Sequence, residues 1–282
     1  MEEKQYVDYF MINNTPHNFN EDNKKNKSVH IDVPNYKAFA CIALGWLGLS
    51  IIATIFSLLI SIFIEIPEPG TAEYVKLLGW MNFASYTVTA IFLISILGKN
   101  IFLKILKQFK GYNVIGKGLM YGLLLLSASI AYNMIVLTLY PDFGANQNQN
   151  AVVDMIVTMP VVSFISVVIL APLTEEITYR LCLTGSLAKK SKFIGIVVSS
   201  VLFGLIHSAF IDLSFLEMDK QAVINELIAL PSYIISGLIM AIAYTKEDSL
   251  ACSITAHMTN NFVAFVQSFI ADDLIESVMR IF

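Results

Sequence analysis

Residues 152–187, VVDMIVTMPVVSFISVVILAPLTEEITYRLCLTGSL, decide the class of this protein. The stretch is mostly apolar over more residues than the about 20 that one membrane-spanning helix needs. Pro160 and Pro172 are expected to divide or kink it, because proline has no N–H and disrupts a helix interior. Its second half places two glutamates and an arginine among apolar residues. The stretch therefore predicts a membrane-embedded helix that contains ionisable groups.

The composition of the whole chain agrees with a membrane protein. Of its 282 residues, 56% are hydrophobic and 14% are charged, and the mean hydropathy is +0.67. An ordinary soluble domain has about 25% charged residues, so this chain lacks the polar surface that a water-facing globule needs. We expect an all-α protein, a polytopic transmembrane helical bundle whose partner is the lipid bilayer. No nucleic acid partner is expected.

Seven apolar segments are long enough, and poor enough in charge, to span a bilayer. They are Ala38–Ile66, Leu77–Leu97, Ile115–Leu139, Val152–Leu187, Phe193–Phe210, Ala222–Tyr244 and Leu250–Ile270. Division of the fourth segment would add another helix, so seven or eight spans are predicted. Residues 1–37 are predicted to form a polar extension, and residues 271–282 a short tail.

The lysines predict the orientation in the cell membrane. Positive residues accumulate in short cytoplasmic connections. Most of the 18 Lys and Arg residues precede the first span or lie on alternate connections, whereas the other connections have acidic residues. The N-terminus and the polar extension should therefore be cytoplasmic.

Ionisable residues inside spans are costly, and they indicate a functional site by default. Glu176 and Arg180 are four residues apart, so they share a helix face and can pair. Glu175 points about 100° away from Glu176, which leaves it available for chemistry. The alternative is an interfacial helix with a structural salt bridge, but the second glutamate then lacks an obvious partner.

Two histidines also lie in apolar segments, in Phe203-Gly-Leu-Ile-His207 and in His257-Met-Thr-Asn-Asn261. Either histidine alone could be structural, and an amide beside an imidazole could simply join two helices. Both follow the glutamate pair, however, while the remaining histidines lie in the polar N-terminal segment. The joint pattern is more specific than any one of its members.

At these residues the chain resembles the CPBP family, also called the Abi or CAAX-protease-like family, which includes the type II CAAX prenyl endopeptidases. The family pattern is EExxxR, then FxxxH, then HxxxN, each on a separate transmembrane helix. The chain has Glu175-Glu176-Ile-Thr-Tyr-Arg180, Phe203-Gly-Leu-Ile-His207 and His257-Met-Thr-Asn-Asn261, without departure. The resemblance implies a catalytic core at 151–270, preceded by N-terminal transmembrane helices at 38–150 that contain no motif.

The resemblance implies intramembrane hydrolysis of peptide bonds and a role for each matching residue. Glu175 and His207 would activate the attacking water, and His257 and Asn261 would stabilise the oxyanion. Three further residues would shape and support the site: Glu176, Arg180 and Phe203. These roles agree with the needs of amide hydrolysis, which are a general base, a proton carrier and a donor to the oxyanion.

The sequence leaves the question of a metal cofactor open. Glu175, His207 and His257 are a suitable ligand set for zinc with an open position. A carboxylate and a histidine can equally activate water without a metal, and the HExxH spacing of many zinc proteases is absent. The glutamate-dependent mechanism is favoured, with zinc kept as the alternative.

Two other function classes compete with a protease. A catalytically silent membrane scaffold, regulator or immunity protein that binds a partner would not need Glu175, His207, His257 and Asn261 together. A transporter would be expected to have ionisable residues in several spans, and the first three spans lack them. The resemblance implies peptide or protein substrates, which include peptide pheromones, bacteriocin-related peptides and CAAX-like proteins.

Overall fold

The computed structural model describes residues 29–141, 143–144, 146–211 and 216–279, and only the backbone at residue 211 and beyond residue 269. Within these ranges the chain is helical and has no strand, which confirms the prediction of an all-α protein. The helices are α1 (Asn35–Ser61), α2 (Ala72–Leu97), α3 (Lys99–Gln108), α4 (Val114–Leu139), α5 (Gln147–Thr158), α6 (Pro160–Ala188), α7 (Lys192–Ile206), α8 (Lys220–Glu247) and α9 (Leu250–Met279).

Five of these helices, α1, α2, α4, α6 and α8, are long and apolar enough to cross a membrane. Helix α7 is apolar but shorter. The chain is therefore a multi-pass membrane protein. The count of seven or eight spans and the cytoplasmic N-terminus stay predictions.

Polar side chains mark the start of several helices. An N-cap oxygen satisfies one of the backbone N–H groups that the first helical turn leaves unpaired. Each of these side chains accepts a hydrogen bond from the backbone N–H three residues later: Thr71 before α2, Asn146 before α5, Ser191 before α7 and Asp219 before α8.

The long apolar segment at 152–187 is divided at its first proline, as predicted. Helix α5 ends next to Met159, whose φ of −137° and ψ of 63° are not helical, and Pro160 begins α6. Pro172 lies inside α6 without ending it. The preceding turn, Phe164–Leu170, is π-helical, and such wider turns are common at functional sites.

Helix α3 lies in the lysine-rich connection between the second and third predicted spans. The lysines of this helix are exposed, but the helix also has an apolar face, on which Ile105 is buried. Gln108 is buried at its end, where its side-chain oxygen accepts from Leu250 N at 2.8 Å and its amide donates to Val29 O at 2.7 Å. The helix thus ties the start of α9 to the start of the described chain.

The end of the predicted polar extension is part of the folded protein. Residues 1–28 lie outside the described residues, but Ile31 and Val33 are buried in the core. Lys189 lies 2.7 Å from Asp32, and its hydrogen bond and charge lower the pKa of that carboxyl group. Residues 29–34 therefore pack against the helices instead of being wholly solvated.

Close packing of α4 on α9 depends on two glycines. A Cβ atom at Gly118 would lie 2.9 Å from Cys252 O, and one at Gly122 would lie 3.0 Å from Ala256 O. Small residues allow such approaches between membrane helices, where van der Waals packing is a main driving force. This contact fixes the part of α9 that precedes His257.

Candidate active site

Glu175 and Glu176 lie where α6 changes from an α-helical turn, Ala171–Glu175, to a π-helical stretch, Glu176–Thr184. The two residues are only 6% and 0% exposed. Their carboxylates diverge, as the angle between neighbouring helical residues predicts, and they contact different nitrogens of His257. One glutamate is held by charged and polar groups, while the other faces two histidines.

Glu176 is the held carboxylate. Arg180 Nε lies 3.2 Å from its Oε2, as an ion pair in which both side chains are fully buried. Ser253 donates its hydroxyl to the same oxygen. His257 Nδ1 lies 3.0 Å from Oε1. Glu176 therefore joins α6 to α9 and orients the His257 ring.

Charge, not an aligned hydrogen bond, holds the Arg180 guanidinium. Its three nitrogens are buried without a hydrogen-bond partner among the described residues, since the 3.2 Å approach to Glu176 is an ion pair of poor angle. The Cζ atom also lies 4.7 Å from the centre of the Phe203 ring, a cation–π contact. Phe203 in turn packs on His207, with ring centres 4.6 Å apart.

His207 lies immediately after α7, not inside a helix. The predicted fifth span ran to Phe210, but α7 ends at Ile206, and His207 has a φ of −93° and a ψ of 6°. Beyond the helix, Ala209 N donates to the buried Glu226 carboxylate at 3.1 Å. His207 Nδ1 lies 2.8 Å from Phe203 O. These contacts fix the ring at the helix end.

Glu175 lies between the two histidines of the site. Its Oε2 lies 3.8 Å from His207 Nε2 and 3.8 Å from His257 Nε2. The Nδ1 atom of each ring faces an oxygen acceptor, so we assign the neutral-ring proton to Nδ1 and the lone pair to Nε2. Three groups that can accept or exchange protons thus surround one small space.

Asn261 lies one helical turn after His257, but its side chain bonds to the backbone of α6. Its Nδ2 donates to Val167 O at 2.9 Å. In the π-helical turn, Ala171 N donates to Ser166 O. The next residue, Pro172, has no N–H to donate to Val167. Asn261 therefore supplies the donor that the proline lacks, and an amide nitrogen has a second hydrogen still to donate.

Several residues of the site were missed in the sequence. Tyr86 of α2 donates its hydroxyl to Glu175 Oε1 at 3.0 Å, and the Tyr233 ring stacks on His207 with centres 4.9 Å apart. Asn146 Nδ2 donates to His207 O at 3.3 Å, and Ser253 donates to Glu176. Of these residues, only Tyr86 could have been noticed in the sequence, because polar residues recur around it at helical spacing within an apolar span.

A polar cavity of about 270 Å³ lies beside the His207 end of the site. It is bounded by the starts of α5 and α8. Asn146 belongs both to its wall and to the contacts of His207, so a single residue links the cavity to the histidine. The wall consists of Asn146, Gln147, Asn150, Asp219, Gln221, Ala222, Asn225 and Glu226.

Metal binding is not evident from the arrangement of the side chains. Across the described ranges, no group of three or more His, Cys, Asp and Glu residues is placed so that it could hold a metal ion. Glu175, His207 and His257 have suitable donor atoms for zinc, but their shared contacts are the 3.8 Å approaches described above.

Comparisons with known proteins match the part of the chain that contains the site. Residues 157–263, which include all three motifs, match the family model "Type II CAAX prenyl endopeptidase Rce1-like". The chain is also 29% identical over 124 residues to "Putative membrane peptidase YdiL" of Bacillus subtilis (strain 168). That match covers 43% of each protein, so the chain spans less than half the length of this relative. No solved structure matches the chain significantly.

Proposed function

Since the chain carries a CPBP-family domain at residues 157–263, we propose that it is an intramembrane endopeptidase. It hydrolyses peptide bonds of membrane-associated peptides or proteins. The observation that supports this best is the position of Glu175 Oε2, 3.8 Å from the Nε2 atoms of two histidines on other parts of the fold. The side chains of Glu175, His207 and His257 are only 7%, 17% and 7% exposed, so the three groups meet in a nearly water-excluded space.

The reaction begins with a water molecule between Glu175 and His207. Glu175 accepts a proton while the water oxygen bonds to the carbonyl carbon of the substrate. The carbonyl double bond becomes a single bond to a negatively charged oxygen. When the C–N bond breaks, the carbonyl re-forms and the proton passes to the leaving amine, through Glu175 or His207. The products are an amine and a carboxylic acid, which holds the second hydrogen of the water until it ionises, and no covalent enzyme intermediate forms.

His257 and Asn261 stabilise the oxyanion in this proposal. His257 donates from Nε2 when its ring is protonated, and its Nδ1 lies 3.0 Å from the Glu176 carboxylate. Asn261 can donate with the amide hydrogen that does not bond to Val167. Preorganised donors of this kind are worth about 10²–10³-fold in rate each. Arg180 and Phe203 keep Glu176 and His207 in position.

Two variants separate the oxyanion role of Asn261 from its bond to α6. Asn261→Ala is expected to lower both the thermal midpoint and the rate of peptide hydrolysis. Adding Pro172→Ala restores an N–H that can donate to Val167 O. The double variant should therefore recover the midpoint while its rate stays at least about 10²-fold below wild type. Recovery of both would show that Asn261 acts only through the helix.

Metal analysis of the purified protein tests the zinc alternative. The glutamate-dependent mechanism predicts full activity after treatment with a chelator and less than one equivalent of bound divalent metal. Loss of activity with chelator, and its return with added zinc alone, would replace this mechanism by one in which Glu175, His207 and His257 are ligands.

A comparison of the peptides in two strains tests the proposed function and identifies the substrate in the same experiment. Membranes and medium from cells that produce wild type or Glu175→Ala are compared by mass spectrometry. The protease proposal predicts peptides whose termini appear only with wild type, with peptide pheromones, bacteriocin-related peptides and CAAX-like proteins as the substrate classes to inspect first. Identical peptidomes together with unchanged cellular phenotype in Glu175→Ala would favour the membrane scaffold or immunity protein instead.

A further inference from the structure

Tyr86 contacts Glu175, the carboxylate that accepts the proton in the proposed mechanism. It does so from α2, a helix outside the matched residues 157–263. Its hydroxyl donates to Glu175 Oε1 at 3.0 Å, while the other oxygen, Oε2, faces His207 and His257. The two oxygens of Glu175 thus have different partners. A carboxylate on a flexible side chain could otherwise rotate and exchange them.

Helix α2 presents a polar face around this contact. Asn82, Ser85, Tyr86 and Thr89 recur at the three- and four-residue spacing that places residues on one side of a helix. Ser85 and Thr89 are only 3% and 0% exposed. Within the described ranges, their hydroxyls and Asn82 Oδ1 are buried without a hydrogen-bond partner. Buried polar atoms without partners are uncommon and call for an explanation.

We propose that Tyr86 is a positioning residue of the active site and that the polar face of α2 is the wall of the site opposite the histidines. Tyr86 fixes Glu175 Oε1, so that Oε2 alone is directed at the attacking water. The inference rests on the proposed endopeptidase function. It extends the site to the N-terminal helices, which contain none of the family motifs.

A Tyr86→Phe variant removes only the hydroxyl and keeps the ring that packs in α2. The matched control is Tyr132→Phe. Tyr132 is also a half-buried tyrosine of a long apolar helix, and its hydroxyl donates to Ile228 O at 2.6 Å, away from Glu175. Each variant therefore loses one tyrosine hydrogen bond within the helical bundle. The probe is an internally quenched peptide that wild type cleaves, and Glu175→Gln is measured on the same peptide.

Tyr86→Phe is expected to lower kcat by about 10- to 100-fold, the range for a hydrogen bond to a charged group. KM and the thermal midpoint should stay close to those of Tyr132→Phe, whose kcat should equal that of wild type. An unchanged kcat, a rise in KM alone, or a fall in midpoint that accounts for the lost activity would each overturn the inference. Cleavage by Glu175→Gln at the wild-type rate would instead overturn the proposed role of Glu175 as the general base.

Discussion

Glu175→Gln is expected to reduce peptide hydrolysis by about 10²–10⁴-fold, the usual contribution of a positioned general base. Glutamine has nearly the shape of glutamate, and its amide oxygen can still accept the Tyr86 hydroxyl. What it loses is the ability to take a proton from water beside His207 and His257. The rate is measured on purified protein with a quenched peptide, and folding by the thermal midpoint and elution volume in detergent.

The control for this variant is Glu247→Gln. Glu247 is a mostly buried carboxylate near the end of α8, where it pairs with Lys117 and accepts from the Tyr121 hydroxyl at 3.4 Å. It lies outside the proposed site, so its replacement should leave the rate close to that of wild type. Full activity of Glu175→Gln with a normal midpoint would refute the assignment of the base.

The features that sequence could predict are those with local causes. The apolar segments and low charge indicate the helical membrane fold, and the four-residue spacing of Glu176 and Arg180 predicts their ion pair, which the structure confirms at 3.2 Å. Division of the long segment at Pro160 also follows from the chemistry of proline. Each of these inferences uses residues that are near one another in the chain.

The features that sequence could not predict depend on distant partners. A tyrosine in an apolar span is ordinarily a packing residue, so the polar spacing around Tyr86 does not identify its partner until α2 is placed against Glu175. Just past the end of α7, Ala209 N bonds to the Glu226 carboxylate of another helix. Asn261 bonds to Val167 because a π-helical turn meets Pro172. The roles of these residues are set by helix packing.

Arg180→Met is expected to cause the largest loss of stability of any single change in the site. It leaves the Glu176 carboxylate fully buried without its cation, and removal of one partner of a buried pair costs about 3–5 kcal/mol. Methionine keeps part of the packing over Phe203. The comparison is Lys117→Met, which breaks the more exposed pair with Glu247 and should cost no more than about 1 kcal/mol.

Adding Glu176→Gln to Arg180→Met separates stability from catalysis. The double variant has no unpaired buried charge, so most of the lost thermal midpoint should return, because neutral replacements of a buried pair are often well tolerated. Its rate should still be about 10- to 100-fold below wild type, as is common when the carboxylate behind a functional histidine is removed. Glutamine can accept from His257 Nδ1 but places no negative charge beside the ring. A double variant that regains both its midpoint and its rate would show that the pair serves only the fold, and that His257 does not depend on Glu176.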